Sequence, residues 1–121
     1  MPSPAKAEKK RQSNLEEILE FSVDLSRQMI VSGANLERVS LAVERICHVY
    51  GLEDVSLFLL STYVSLSARD REGRYASRQI SIPPAGINLE LLKQLNRLSY
   101  SVTEKKPAPE RLKRLLKEAC D

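Results

Sequence analysis

His48 and Cys47 are the residues of this 121-residue sequence that could most readily take part in chemistry, since one is its single histidine and the other is a thiol directly beside it. Imidazole and thiolate groups bind metals, and a histidine can also act as a general base. Adjacent residues on a helix point about 100° apart, however, so these two side chains should not converge. The second cysteine, Cys120, stands at no ligand spacing from the first. We therefore expect no metal site and two ordinary free thiols.

The short motifs that place catalytic or phosphate-binding groups are also missing. The sequence contains no Gly-x-Ser-x-Gly elbow, no glycine-rich phosphate loop, no His-Glu-x-x-His pair and no Cys-x-x-Cys pair. Seven hydroxyl side chains lie in or beside the strand-like segments: Ser56, Ser61, Thr62, Ser65, Ser67, Ser77 and Ser81. They could line a polar ligand face, although the solvent side of a half-buried sheet also accounts for them. We expect no catalytic residue, no cofactor and no enzymatic activity.

Positive charge is concentrated at the two ends of the sequence, in the Lys6 to Arg11 stretch and in the Lys105 to Lys117 segment. Residues 1–13 contain four basic residues and one acidic residue, Glu8, so their charge of +3 equals the net charge of the whole sequence. The remaining 15 basic and 15 acidic residues cancel. A nucleic-acid-binding domain normally carries a basic face, so the neutral body indicates no nucleic-acid partner. Residues 1–13 are predicted to form a disordered basic tail, and residues 14–121 a single domain. The basic ends also predict weak, salt-sensitive association with anionic membranes.

Two helices should precede any strand and position these groups. The first begins at Ser13 or Asn14, where a capping box starts, and runs to about Ser32. Its apolar residues are too many for one stripe, so it should pack on two sides. The second helix is capped by Asn35 and ends at Gly51, and its apolar residues recur at three- and four-residue steps.

Alternation then replaces the helical period. Residues 55–60, 63–68 and 75–82 read as strands, with a short hairpin loop before the third. Two further helices are predicted, from Asn88 to about residue 102 and over residues 110–120. The predicted fold class is α+β in the order ααβββαα, with helices packed on one face of a small three-stranded antiparallel sheet. No apolar run approaches the roughly 18 to 20 residues that cross a bilayer.

Several blocks stand in a fixed order along this framework. They are Gly33-Ala34, Arg38-Val39, Glu44-Arg45-Ile46, Tyr50-Gly51-Leu52, Arg78-x-Ile80-x-Ile82-Pro83, Gly86-Ile87-Asn88-Leu89 and Leu95-Asn96-Arg97-Leu98-Ser99. Together they resemble the N-terminal soluble domain of the threonine/serine exporter family. The resemblance covers roughly residues 14–103.

The resemblance implies a role in amino-acid efflux. In that family the domain precedes a block of transmembrane helices, and the whole is implicated in export of small hydroxy amino acids. The chain would then lie on the cytoplasmic side of the plasma membrane and would dock to the membrane half, gate it or sample its substrate. Its partners would be that membrane half, in the same or a separate chain, and small amino acids, and the domain could oligomerise. The alternatives are a free-standing interaction domain and a small hydrolase.

Two departures from the family pattern bear on the functional residues. An acidic residue often follows the Gly-Ala pair and another often follows Arg-Val in the family, whereas this chain has Asn35 and Ser40 there. The hydrolase-like activity suggested for the family therefore carries over poorly. Among the matched positions we nominate Arg38 and Glu44 as substrate-binding or otherwise functional residues. The alternative for this pair is an ion pair within the domain or ordinary helix-surface charge.

Overall fold

The computed structural model describes residues 4–121, and this part of the chain forms four helices and three strands in the order ααβββαα. The elements are α1 (Pro4–Val31), α2 (Leu36–Val49), β1 (Glu53–Leu60), β2 (Tyr63–Arg69), β3 (Tyr75–Ser81), α3 (Leu89–Lys105) and α4 (Pro109–Cys120). This architecture confirms the α+β class and the element order predicted from the sequence. None of the helices in residues 4–121 combines the length and the apolar character needed to span a bilayer.

The sheet is antiparallel with β2 in the middle, so each outer strand pairs with it alone. Alternate residues of β2, Val64, Leu66 and Ala68, are buried on the face that meets the helices. Helix α1 packs against β2 and β3, and α2 packs against β1. The opposite face carries Ser65 and Ser67 and remains half-exposed, as expected for a sheet covered on one side.

Helix α1 is the centre of the core. Leu19, Leu25 and Met29 are fully buried, and the helix contacts β2, β3 and each of the other helices. Its many apolar positions are thus used on more than one side, which confirms the prediction that it packs on two sides.

The start of α1 corrects a prediction. The helix begins at Pro4 rather than at Ser13 or Asn14, so residues 4–13 are helical instead of disordered, and residues 1–3 of the predicted tail lie outside the described part. Ala, Lys, Glu, Arg and Gln dominate this stretch and are strong helix formers, and proline is favoured at the first helical position. The carboxylate of Glu8 also lies 3.4 Å from the guanidinium of Arg74 in the β2–β3 hairpin.

Local hydrogen bonds fix the corner between α1 and α2 and the start of α3. The Asn35 side chain accepts a hydrogen bond from the Glu37 N–H (2.7 Å), and the Asn88 side chain accepts one from the Leu91 N–H (3.0 Å). Both predicted N-caps are therefore confirmed. The Asn88 N–H in turn donates to the carbonyl of Ser32 at the end of α1 (3.0 Å). This bond ties the start of α3 to the α1–α2 corner, and α3 lies in contact with α2.

Candidate functional site

An open groove lies where α2 and α3 pack together beside the α1–α2 corner. Its volume is about 610 Å³, and it is lined by Gly33, Ala34, Asn35, Glu37, Arg38, Leu41, Ala42, Arg45, Leu92, Asn96, Ser99 and Tyr100. A shallower depression of about 580 Å³ shares Leu92, Asn96 and Tyr100 with it and continues along α3 to Lys105. We call the two depressions together the α2–α3 groove.

Arg45 is held across the groove by α3. Its guanidinium carbon lies 4.3 Å from the centroid of the Tyr100 ring, which is cation–π geometry. Its Nη2 donates to the hydroxyl of Ser99 (3.4 Å), and that hydroxyl donates to the carbonyl of Asn96 (2.8 Å). Ser99 is buried at 1% exposure, so this contact is fixed inside the packed interface between the two helices.

The guanidinium of Arg45 retains hydrogen-bonding capacity. Its Nε is buried and has no hydrogen-bond partner within residues 4–121. A planar guanidinium presents five N–H donors in a fork that matches a carboxylate. Arg45 is therefore suited to binding an anionic oxygen group through the N–H groups that the protein leaves available.

The two residues nominated from the sequence are not brought together. Arg38 is exposed and lines the groove, whereas Glu44 is exposed outside it and accepts a hydrogen bond from Ser40 (3.4 Å). Six residues of helix turn through about 600°, which leaves the two side chains about 120° apart. No ion pair joins them within residues 4–121. A functional role for either residue stays a prediction.

Arg45 and its α3 partners were missed by the sequence reasoning. Arg45 sits beside Glu44 in one of the matched blocks, and it follows Arg38 by seven residues, which is two turns of helix and the same face. That spacing was the signal that could have found it. Ser99 and Tyr100 gave no comparable signal, because nothing local shows that their part of α3 faces α2.

Unpaired positive charge surrounds the groove. Its lining includes five basic side chains, Arg38, Arg45, Lys93, Arg97 and Lys105, against the acidic Glu37 and Glu104. Within the described chain none of the five forms an ion pair. Residues 14–121 are neutral in total, but the fold gathers an excess of cations at this surface.

The cysteine and histidine of α2 do not form a reactive pair. Cys47 is fully buried, and that burial raises the pKa of its thiol to about 12, which keeps it protonated. His48 is exposed in the last turn of the same helix. Within residues 4–121, no group of three or more His, Cys, Asp or Glu side chains is placed to hold a metal ion.

A smaller cavity of about 160 Å³ lies between α1 and α4 and is rich in carboxylates. Glu17, Glu20, Asp24 and Glu110 line it together with Lys113. Burial raises the pKa of Glu17, and the nearby negative charges of Glu110 and then Glu20 raise it further. The Oε2 atom of Glu17 is itself buried without a hydrogen-bond partner in the described residues. This arrangement disfavours the ionised form of Glu17.

Comparison with known protein families shows which family this chain resembles. The family model ThrE, described as "Putative threonine/serine exporter", matches residues 20–119, a span that runs from within α1 to the last turn of α4 and includes the whole α2–α3 groove. No curated protein and no solved structure gives a significant match.

Proposed function

We propose that this chain, which belongs to the threonine/serine exporter family, acts in amino-acid export by docking to the exporter's membrane half. The family resemblance predicted from the sequence is confirmed by the match over residues 20–119. The family is one of transporters, which fits the prediction that the chain is not an enzyme. We propose further that the partner is the membrane half of the exporter and that docking takes place on the cytoplasmic side of the membrane.

The open shape of the α2–α3 groove supports docking to a protein over sampling of a small substrate. Leu89 and Tyr100 line it and are 71% and 60% exposed, so the groove is open along its length. Small-molecule sites are concave enclosures that bury most of their ligand's surface, whereas an open apolar surface is typical of contact with another protein. The groove therefore favours a protein partner.

A position on the cytoplasmic side of the plasma membrane is supported by charge. Cytoplasmic segments near membrane spans are enriched in Lys and Arg, and the leaflet they face is anionic. Helix α4 carries exposed Arg111, Lys113, Arg114 and Lys117. These side chains would lie favourably near that surface.

A second candidate role is sampling of the exported amino acid, and one observation favours it. The guanidinium of Arg45 could bind the carboxylate of a free amino acid, while Asn96 beside it offers an amide. Measured saturable binding of threonine to the purified chain, lost in Arg45→Met, would support this role.

The export function is tested by efflux of labelled threonine from cells that lack the native gene for this chain. We expect slow efflux in these cells and restored efflux when the gene is returned, with labelled leucine as a control whose release does not change. Equal rates of threonine release with and without the chain would contradict the proposed function.

A further inference from the structure

We infer that the α2–α3 groove receives an amphipathic helix of the partner protein, with its apolar stripe against the groove floor and carboxylates along both flanks. This inference rests on the proposed docking function and adds the surface and the chemistry of the partner segment. Three properties of the groove support it: its exposed apolar side chains, its unpaired cations and its shape.

Exposed apolar side chains cluster at the groove. Seven large hydrophobic side chains in residues 4–121 are exposed, and three of them, Leu41, Leu89 and Tyr100, line the groove at 53%, 71% and 60% exposure. A fourth, Ile87, is 82% exposed and lies immediately before α3. Leu92 is half-buried between the two depressions. A surface of this kind is stabilised when a partner removes it from water.

The charges select an anionic partner. Arg38, Lys93, Arg97 and Lys105 are exposed around the apolar floor, and Arg45 has an unpartnered Nε within it. Complementary charges across an interface steer association and exclude partners of the wrong sign. A segment with flanking carboxylates would pair with these cations, whereas a segment with flanking Lys or Arg would be repelled.

The shape favours a helix over a bilayer. Helix α3 has 17 residues, so at 1.5 Å per residue the wall of the groove is about 25 Å long, which matches a partner helix of four to five turns. The matched length and the line of exposed apolar side chains along α3 favour a helix, and a bilayer surface is the alternative that the vesicle measurement below tests. A second copy of this chain fits poorly, because α4, its most amphipathic helix, has Leu112 and Leu116 buried in the core and a basic outer face.

The test is a fluorescence titration of the purified chain with two labelled synthetic peptides. Both are 18-residue amphipathic helices with the same Leu stripe, and one has Glu on its flanks while the other has Lys. The groove variant is Lys93→Glu with Arg97→Glu. The matched control is Arg114→Glu with Lys117→Glu, which changes the net charge equally on the exposed side of α4. Far-UV circular dichroism and thermal unfolding verify that each variant folds.

The Glu peptide should bind the wild-type chain and the control variant saturably, with affinity that falls as salt rises. The groove variant should bind it at least about tenfold more weakly, because two attractive pairs become repulsive. The Lys peptide should show the opposite preference and bind the groove variant more tightly than wild type, because four carboxylates then face three cations at the groove. Equal binding of the Glu peptide to both variants, equal binding of the two peptides to wild type, or no saturable binding would overturn the inference.

Anionic vesicles form the second arm of the same experiment. Vesicle binding that is lost in the groove variant, without binding of the Glu peptide, would overturn the helix assignment in favour of a membrane surface. The peptide result is independent of threonine efflux. If the peptide fails to bind but threonine efflux still depends on the chain, this inference alone is rejected. If the peptide binds but threonine efflux is the same with and without the chain, the export function is rejected.

Discussion

Replacing Gly33 by alanine should destabilise the corner that forms one end of the α2–α3 groove. Gly33 has φ +100°, and a Cβ there would lie 3.2 Å from the carbonyl oxygen of Gly86 and 3.6 Å from Ile87. The positive φ costs an L-residue roughly 1–2 kcal/mol, and the lower entropy of the unfolded chain offsets about 0.4–1 kcal/mol of this. With the tight contact to backbone added, we expect Gly33→Ala to lower the free energy of unfolding by about 1–2 kcal/mol.

Two other glycines separate the backbone cost from the contact cost. Gly73 has φ +86°, and a Cβ added there would have no neighbouring atom within 4 Å, so Gly73→Ala reports the backbone cost alone. Gly86 has neither a positive φ nor a neighbour within 4 Å, so Gly86→Ala should be neutral or slightly stabilising. Urea unfolding followed by circular dichroism should rank the losses Gly33 above Gly73 above Gly86. A Gly33→Ala variant as stable as Gly86→Ala would refute the reasoning.

Three further predictions concern charge and reactivity. Because the pKa of Glu17 is raised, its ionised form disfavours folding, and Glu17→Gln should increase the free energy of unfolding at neutral pH. This gain should disappear as the pH falls through the raised pKa and below 4.5, since the wild-type carboxyl is then protonated. Urea unfolding across this pH range measures the gain, and a gain that grows on acidification would contradict the prediction. In the folded protein Cys47 should resist alkylation at about pH 8 while the half-buried Cys120 reacts, as peptide mass spectrometry would show; equal labelling would contradict the burial of Cys47. A double-mutant cycle of Arg45→Met and Tyr100→Leu should give a coupling energy of about 0.5–1 kcal/mol, and a value of zero would show that the stacking contributes nothing.

The helix caps were predictable because each depends on a single residue and its immediate neighbours. Asn35 and Asn88 bond to N–H groups two and three residues ahead, so the sequence contains the whole interaction. The predicted start of α1 was wrong for a related reason. A capping box at Ser13 is a local start signal, but the preceding residues of high helix propensity, beginning at Pro4, extend the helix through it.

The candidate site was only partly predictable, because it is built across a long sequence separation. Arg45 and Ser99 are 54 residues apart, and their contact depends on how α3 is rotated when it packs on α2. Helical periodicity shows that each helix has a buried stripe, but it does not show which polar residues border the shared groove. Arg38 was nominated and does line the groove, whereas Glu44 lies elsewhere on the same helix.

Binding of the purified chain to the exporter's membrane half tests the central claim most directly, with the membrane half reconstituted in nanodiscs of zwitterionic lipid so that the α4 cations gain no attraction to the membrane surface. The wild-type chain and the control variant Arg114→Glu with Lys117→Glu should bind saturably and in a salt-sensitive manner. The groove variant Lys93→Glu with Arg97→Glu should bind at least about tenfold more weakly. Absence of saturable binding by the wild-type chain, or equal binding by the two variants, would contradict the claim that this domain docks through the α2–α3 groove.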